Sequence, residues 1–232
     1  MSKLLKVFLA FVGSTVVATS IHAQATIEEV IVTAQRTEQS LQDVPIAVSA
    51  FTDEILSDRQ IEVASDLQLQ VPGVSYSADA FGSGGFSIRG VTNLAVSSSA
   101  DAGVEVHVNG LPLGATSTNE IGFLDMTRIE VLRGPQGTLF GRNATGGVVN
   151  MITARPDLDE FYGKADVRYG TDGEKQLEMI FNVPIADSLA ARFAFSNFER
   201  DGITKNLYSK ATNDFDTRDS YQWRFTMQWE PT

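Results

Sequence analysis

Cysteine is absent from this sequence and histidine is nearly so: 232 residues contain no Cys and only two His, His22 and His107. The first absence excludes disulfides, thiolate metal sites, iron–sulfur clusters and a cysteine nucleophile. The second leaves little for metal or acid–base chemistry. Basic residues are the minority, with Lys plus Arg at 18 against Asp plus Glu at 29 and a formal charge of -11. A protein that works by neutralising phosphates is not expected from this balance, and nucleic acid is a poor partner. Long apolar runs are also missing. The one apolar stretch, Val7 to Ala18, is broken by Gly13, Ser14 and Thr15 and falls short of the roughly 20 residues of a spanning helix. Any further membrane insertion must therefore use β-strands. What is present is a folding composition, 43% hydrophobic against 20% charged, unlike that of a disordered chain. The length allows one sizeable domain, or a small domain and part of something else.

The first residues read as an address. Lys3 and Lys6 precede the apolar run with no acid among them, and Ala23-Gln24-Ala25 follows, the small-x-small pattern of a signal-peptidase site. Residues 1–25 are expected to be a signal peptide, with cleavage after Ala25 or, alternatively, Ala23. His22 leaves with it, so His107 alone would have to serve a Ser-His-Asp site, and a two-histidine metal site cannot be built. His107 lies in the alternating run Val104 to Val108 and reads as a structural or surface histidine.

Thr26 to Ala34, TIEEVIVTA, has β-branched, extended character and no nearby partner. It is either an edge strand awaiting β-augmentation by another protein or the first strand of the domain. Arg36 to Asp43 looks like a linker. Pro45 to Phe51 reads as a strand, Thr52-Asp53-Glu54 caps a short helix running to about Gln60, and Ser65-Asp66 opens a second one that Pro72-Gly73 stops. From Val74 to Gly122, short apolar runs alternate with Gly, Ser, Asn and Asp clusters, predicting a small sheet with long loops at Ser77 to Gly85, Thr92 to Gly103 and Gly114 to Glu120. Such loops are either binding surfaces or plain solvated connections.

From Phe161 onward the period becomes two. Four runs, within 161–169, 176–183, 189–196 and 221–229, each set apolar residues against polar or small ones, with Lys164, Arg168, Glu178, Arg192 and Arg224 on the wet side. Their length suits tilted transmembrane strands of about 9 to 11 residues. A tight Pro184 to Ser188 turn and a long Asp201 to Asp219 loop add the short-turn, long-loop asymmetry of outer-membrane barrels.

The glycine-rich stretch Arg133 to Asn150, RGPQGTLFGRNATGGVVN, lacks the GK[ST] ending of a phosphate loop and the GxGxxG spacing of a dinucleotide site. It reads as a chain of tight turns at Gly134, Gly137, Gly141, Gly146 and Gly147 between two strands. Asn143-Ala144-Thr145 matches a glycosylation sequon, with nothing else to support that setting. With no nucleophile elbow, histidine dyad or cysteine, no enzyme, cofactor or metal is expected.

Taken together, TIEEVIVTAQR, FSIRGV at Phe86 to Val91 and DMTRIEVLRGPQGTLFGRNATGGVVNMIT at Asp125 to Thr153 resemble the TonB box and plug of TonB-dependent outer-membrane receptors. The resemblance implies an α+β plug domain, a small mixed sheet with short helices, followed by antiparallel transmembrane β-strands of an incomplete β-barrel. The expected divisions are 26–43 for the TonB box and linker, 44–156 for the plug and 157–232 for the first four or so barrel strands. Expected partners are TonB, a ferric siderophore or other small nutrient, and outer-membrane lipid. The resemblance makes Glu29, Val30, Ile31, Val32 and Thr33 the TonB box. It gives Arg89 and Arg133 a plug–barrel latch role through glutamates of the barrel wall, with Arg128 and Glu130 in the same network, and makes Gly90 a plug turn glycine beside those named above. The other reading of the arginines is that they satisfy carbonyls within the plug. Four strands cannot close a barrel, so the chain is expected to be the N-terminal part of a longer receptor. A truncated plug-like periplasmic protein that binds TonB without transporting is the alternative.

Overall fold

The computed structural model describes residues 30–33, 36–37, 39–78, 84–92, 103–113, 122–208 and 214–231. The signal-peptide segment, Glu29 and much of the three long plug loops lie outside them.

The first described segment forms β1 (Ile31–Val32), which pairs antiparallel with β2 (Gln39–Ser40); the expected linker thus contains a strand. β3 (Ala47–Thr52) runs into α1 (Asp53–Asp58). Thr52 caps this helix, its hydroxyl accepting from the Ile55 N–H at 3.4 Å, and Asp53 and Glu54 place negative charge in the first turn, where the helix dipole favours it. A 3-10 turn (Ala64–Asp66) and α2 (Leu67–Gln70) follow, and the chain then enters β4 (Val74–Ala78), β5 (Gly84–Ile88) and β6 (Val91–Thr92). These three strands form one small sheet in that order.

The plug is organised around a second sheet. β7 (Val104–Val108), β8 (Leu111–Pro112), β9 (Met126–Arg133) and β10 (Gly147–Thr153) join β3 in the order β3-β9-β10-β7-β8. Only the β7–β10 pairing is parallel; the others are antiparallel, which makes the sheet mixed, as expected. The hairpin from β7 to β8 turns on Asn109 (φ 51°) and Gly110 (φ 80°), the Asn-Gly pair that a two-residue turn with two positive φ values calls for. α3 (Gly137–Phe140) crosses between β9 and β10.

Alternation along β9 and β10 gives the sheet two buried faces. Ile129, Val131, Val149 and Met151 join Val104 and Val106 in a core with Phe51, Leu56, Leu67, Phe86 and Ile88. The opposite face presents Leu132 and Val148 to Val32, Val44, Phe140 and Ala144. Val32, from the N-terminal strand, is fully buried there.

β11 (Tyr162–Tyr169), β12 (Lys175–Ala186), β13 (Leu189–Arg200) and β14 (Arg218–Trp229) form a four-stranded antiparallel meander. The period-two reading holds along it. Ala190, Arg192, Ala194 and Ser196 are buried toward the plug, while Phe181, Phe193, Trp223, Phe225, Met227 and Trp229 point outward and are exposed. Two boundaries differ from expectation. β12 continues through Pro184 to Ala186, because a register shift between those residues provides the bulge that a proline without an N–H needs. β14 begins at Arg218, inside the expected loop.

Candidate functional site on the plug and its barrel anchors

The middle of β9 carries a buried carboxylate. Glu130 has no exposed surface, and every partner it has among the described residues belongs to the plug or the N-terminal strand. The Thr33 N–H donates to its Oε1 at 2.7 Å, and the Thr33 hydroxyl is within 3.1 Å of the same oxygen. Arg128 Nε donates to Oε1 at 2.8 Å, and Asn150 Nδ2 to Oε2 at 3.3 Å. Arg128 Nη2 also donates to the Thr33 hydroxyl at 3.2 Å. Two residues apart on one strand, Arg128 and Glu130 share a face, which lets a single ion pair grip Thr33. The resemblance put this pair in the network of the Arg89 and Arg133 latch; among the described residues its partners are Thr33 and Asn150.

A second tether lies just beyond. Arg36 Nε donates to the Leu139 carbonyl at 2.7 Å, and its guanidinium sits 5.3 Å above the Phe140 ring. Phe140 in turn meets the buried His107 edge-on at 5.2 Å, and His107 Nε2 lies 3.0 Å from Glu105 Oε2. His107 is thus a structural histidine inside the plug.

Arg89 and Arg133 lie near one another at the other end of β9. Arg89 follows β5 with φ 52°, and its N–H donates to the Gly73 carbonyl at 2.8 Å. A left-handed conformation is uncommon for an arginine and is shared here with Gly90 at φ 81°. Arg133 Nη1 donates to the Pro72 carbonyl at 3.4 Å. No carboxylate meets either guanidinium among the described residues. Of the turn glycines, Gly134 and Gly141 have φ 106° and Gly147 φ 153°. A Cβ at Gly147 would collide with the Leu132 carbonyl oxygen, whereas one at Gly137 would meet nothing.

Sequence reasoning missed the contacts that join plug to barrel. Asp125, 4% exposed at its side chain, receives Arg192 Nε at 2.8 Å and Nη2 at 2.6 Å, and Arg224 Nη2 at 2.6 Å. Arg224 also donates to the Leu124 and Asp125 carbonyls at 2.7 and 2.8 Å, and Arg192 reaches the Tyr162 hydroxyl. Here the plug supplies the acid and the barrel wall the arginines, in a contact separate from the latch expected of Arg89 and Arg133. Glu62 pairs with Arg168 of β11, which is also held by Asp166 at 2.9 Å. Burial pushes the Glu62 carboxyl above its usual range, with Arg168 pulling it back. The passage into β11 is pinned by Asn182, fully buried, whose amide oxygen accepts from the Asp157 N–H at 2.9 Å and whose amide nitrogen donates to the Asp157 and Glu160 carbonyls at 3.0 and 2.6 Å. The available signal was the set of wet-face arginines on three of the four strands, Arg168, Arg192 and Arg224, which need counter-charges when shielded. Among the described residues, no group of three His, Asp or Glu could hold a metal ion.

A five-stranded mixed sheet beside a small three-stranded one, a buried carboxylate under an N-terminal strand and a barrel-like meander clasped to the plug define a receptor plug with its adjoining wall. Residues 40–148 match the TonB-dependent Receptor Plug Domain family. The chain belongs to the TonB-dependent receptors, a family of receptors and transporters rather than enzymes.

Relatives agree with this assignment. The "Vitamin B12 transporter BtuB" of Vibrio vulnificus is 30% identical over 191 residues, covering 80% of this chain and 30% of the relative. The "Iron-regulated outer membrane virulence protein" of Vibrio cholerae is 28% identical over 193 residues, covering 77% and 29%. The crystal structure of the ferric yersiniabactin uptake receptor FyuA from Yersinia pestis superposes with a TM-score of 0.67 at 22% identity, covering 80% of this chain and 29% of that one; it shares the plug and strand arrangement. The chain therefore spans about 30% of the length of the relatives it matches.

Proposed function

We propose that this chain is the plug-bearing N-terminal portion of an outer-membrane receptor that takes up a ferric siderophore or similar scarce nutrient with energy delivered by TonB. The observation that carries the reading is the N-terminal strand lodged on the plug, with Val32 buried and Thr33 held by Glu130. A strand so placed can couple a pulling or pairing partner to the plug that blocks the pore. Glu29 to Thr33 serve as the TonB box, and residues 1–25 export the chain. The outward Trp223, Phe225, Met227 and Trp229 face lipid, with aromatic rings near a strand end where an interface girdle sits. Arg89 and Arg133 await carboxylates of the barrel wall, as bidentate latches in a shielded lumen. The chelate class of nutrient is supported by a relative named for iron regulation, and a relative named for vitamin B12 transport keeps corrinoids in the same class of cargo.

The test is uptake in a receptor carrying Ile31→Pro, since proline removes the ladder donor on the edge that does not face β2. Nutrient binding should persist while uptake is abolished; undiminished uptake would overturn the box assignment. The alternative, a periplasmic plug without transport, predicts recovery in the soluble periplasmic fraction, whereas retention in carbonate-washed membranes eliminates it.

A further inference from the structure

One edge of the N-terminal strand is taken by β2 and the other is left to a partner, an inference that rests on the reading of Val30–Thr33 as a coupling strand. In the β1–β2 pair, Ile31 lies opposite Ser40 and Val32 opposite Gln39, and the Leu41 N–H donates to the Val30 carbonyl at 2.9 Å. Main-chain groups alternate along an antiparallel strand. Those of Val30 and Val32 therefore face β2, and those of Ile31 and Thr33 face the other way. That second edge is the one open to strand addition. It is closed at Thr33 on both counts: the N–H goes to Glu130 at 2.7 Å, and the carbonyl accepts from the Arg36 N–H at 2.8 Å.

We propose that Glu130 is an edge cap: its carboxylate stands where the carbonyl of an incoming strand would be, and a partner strand must displace it from Thr33 to pair with the Ile31–Thr33 edge. An N–H bound to a carboxylate is held more firmly than one bound to a neutral peptide carbonyl, so a single replacement bond cannot outcompete it. The cap is also reversible. When Thr33 leaves, Glu130 keeps Arg128 at 2.8 Å and Asn150 at 3.3 Å, so release strands no lone buried charge. Edge strands commonly need such protection against unprogrammed pairing. Here the protecting group comes from β9, whose neighbour Asp125 is bonded to the barrel wall, so the state of the edge is tied to the strand that anchors the plug.

The test uses the full-length receptor in detergent without nutrient, titrated with the purified periplasmic C-terminal domain of TonB, with amide exchange at Thr33 followed in parallel. Glu130→Gln removes the charge at nearly constant shape and should tighten TonB binding by roughly tenfold, the equivalent of one charge-assisted bond, with faster exchange at Thr33. Faster exchange with unchanged or weaker binding overturns the proposal. Should Glu130→Gln fail to fold, Thr33→Val decides, because it removes only the hydroxyl contacts: tighter binding, by about threefold on the same scale, supports the cap and equal binding overturns it. Ile31→Pro, which removes the N–H on the open edge, added to either variant should abolish binding. Binding that survives this proline defeats the coupling-strand reading itself, whatever Glu130 does.

Discussion

Replacing Asp125 isolates the plug–barrel anchor. The side chains of Asp125 and Arg192 are 4% and 7% exposed and share two bonds of 2.8 and 2.6 Å; Arg224, 24% exposed, keeps two carbonyl partners if the carboxylate is lost. Removing one member of a buried pair costs about 3–5 kcal/mol, nearly all of it through Arg192, the more enclosed cation. Asp125 also has φ 52°, so Asp125→Ala adds backbone strain of about 1–2 kcal/mol. Asp125→Asn does not, since asparagine tolerates that conformation; it should cost about 1.5–3 kcal/mol, the value of hydrogen bonds to a charged group. The assay is amide exchange along Met126–Arg133 in the purified protein. A loss of about 3 kcal/mol speeds exchange by opening roughly a hundredfold. Exchange in Asp125→Ala within about twofold of the parent would refute the anchor, and equal damage from Ala and Asn would refute the separation of charge from strain. Replacing Asp125, Arg192 and Arg224 together by apolar residues of similar volume should remove the cost of the lone buried charge and leave only the backbone strain at position 125.

Other consequences are equally open to measurement. Asn182→Ala removes three bonds to the plug–barrel passage and should expose residues 154–161 to limited proteolysis; an unchanged cleavage pattern would count against the pin. Because burial raises the Glu62 carboxyl above its ordinary pKa, its contribution to stability is full below about pH 4.5 and is lost as pH rises through the higher folded-state value. Glu62→Gln should flatten thermal stability over that interval, and a parallel pH profile would reject the assignment. Gly147→Ala, which forces a Cβ onto the Leu132 carbonyl at φ 153°, should destabilise the plug by on the order of 3 kcal/mol. Gly137→Ala, in open space at the first helical position, should be neutral or gain up to about 1 kcal/mol; similar denaturation midpoints for the two would contradict the backbone argument.

Local signals carried much of the fold into the sequence. The four wall strands were legible because large exposed apolar residues such as Phe193 alternate with residues turned to the plug such as Arg192. The first helix was legible through Thr52-Asp53-Glu54. The sheet order of the plug was not, because β7 and β10 pair in parallel between Val106 and Val149, and short apolar runs carry no information on such distant pairing. The candidate site divides likewise. Thr33, Arg128 and Glu130 stood out by motif, yet their mutual grip spans 97 residues from Thr33 to Glu130. Asp125 went unnoticed because its counter-charges lie 67 and 99 residues further on. A lone aspartate ahead of a strand looks like any turn residue until the wall is folded beside it.

The position of β10 also sets an order in time. It lies between β9 and β7, and it is the last strand of that sheet to be synthesised. Until residues 147–153 emerge, β7 has only the two-residue β8 beside it and β9 only β3, so the sheet must complete late and nearly at once. Its completion falls just ahead of β11. Every strand of the sheet next to Asp125 thus precedes in the chain the wall strands that carry Arg192 and Arg224, so the plug sheet needs nothing from the wall to complete its own pairing.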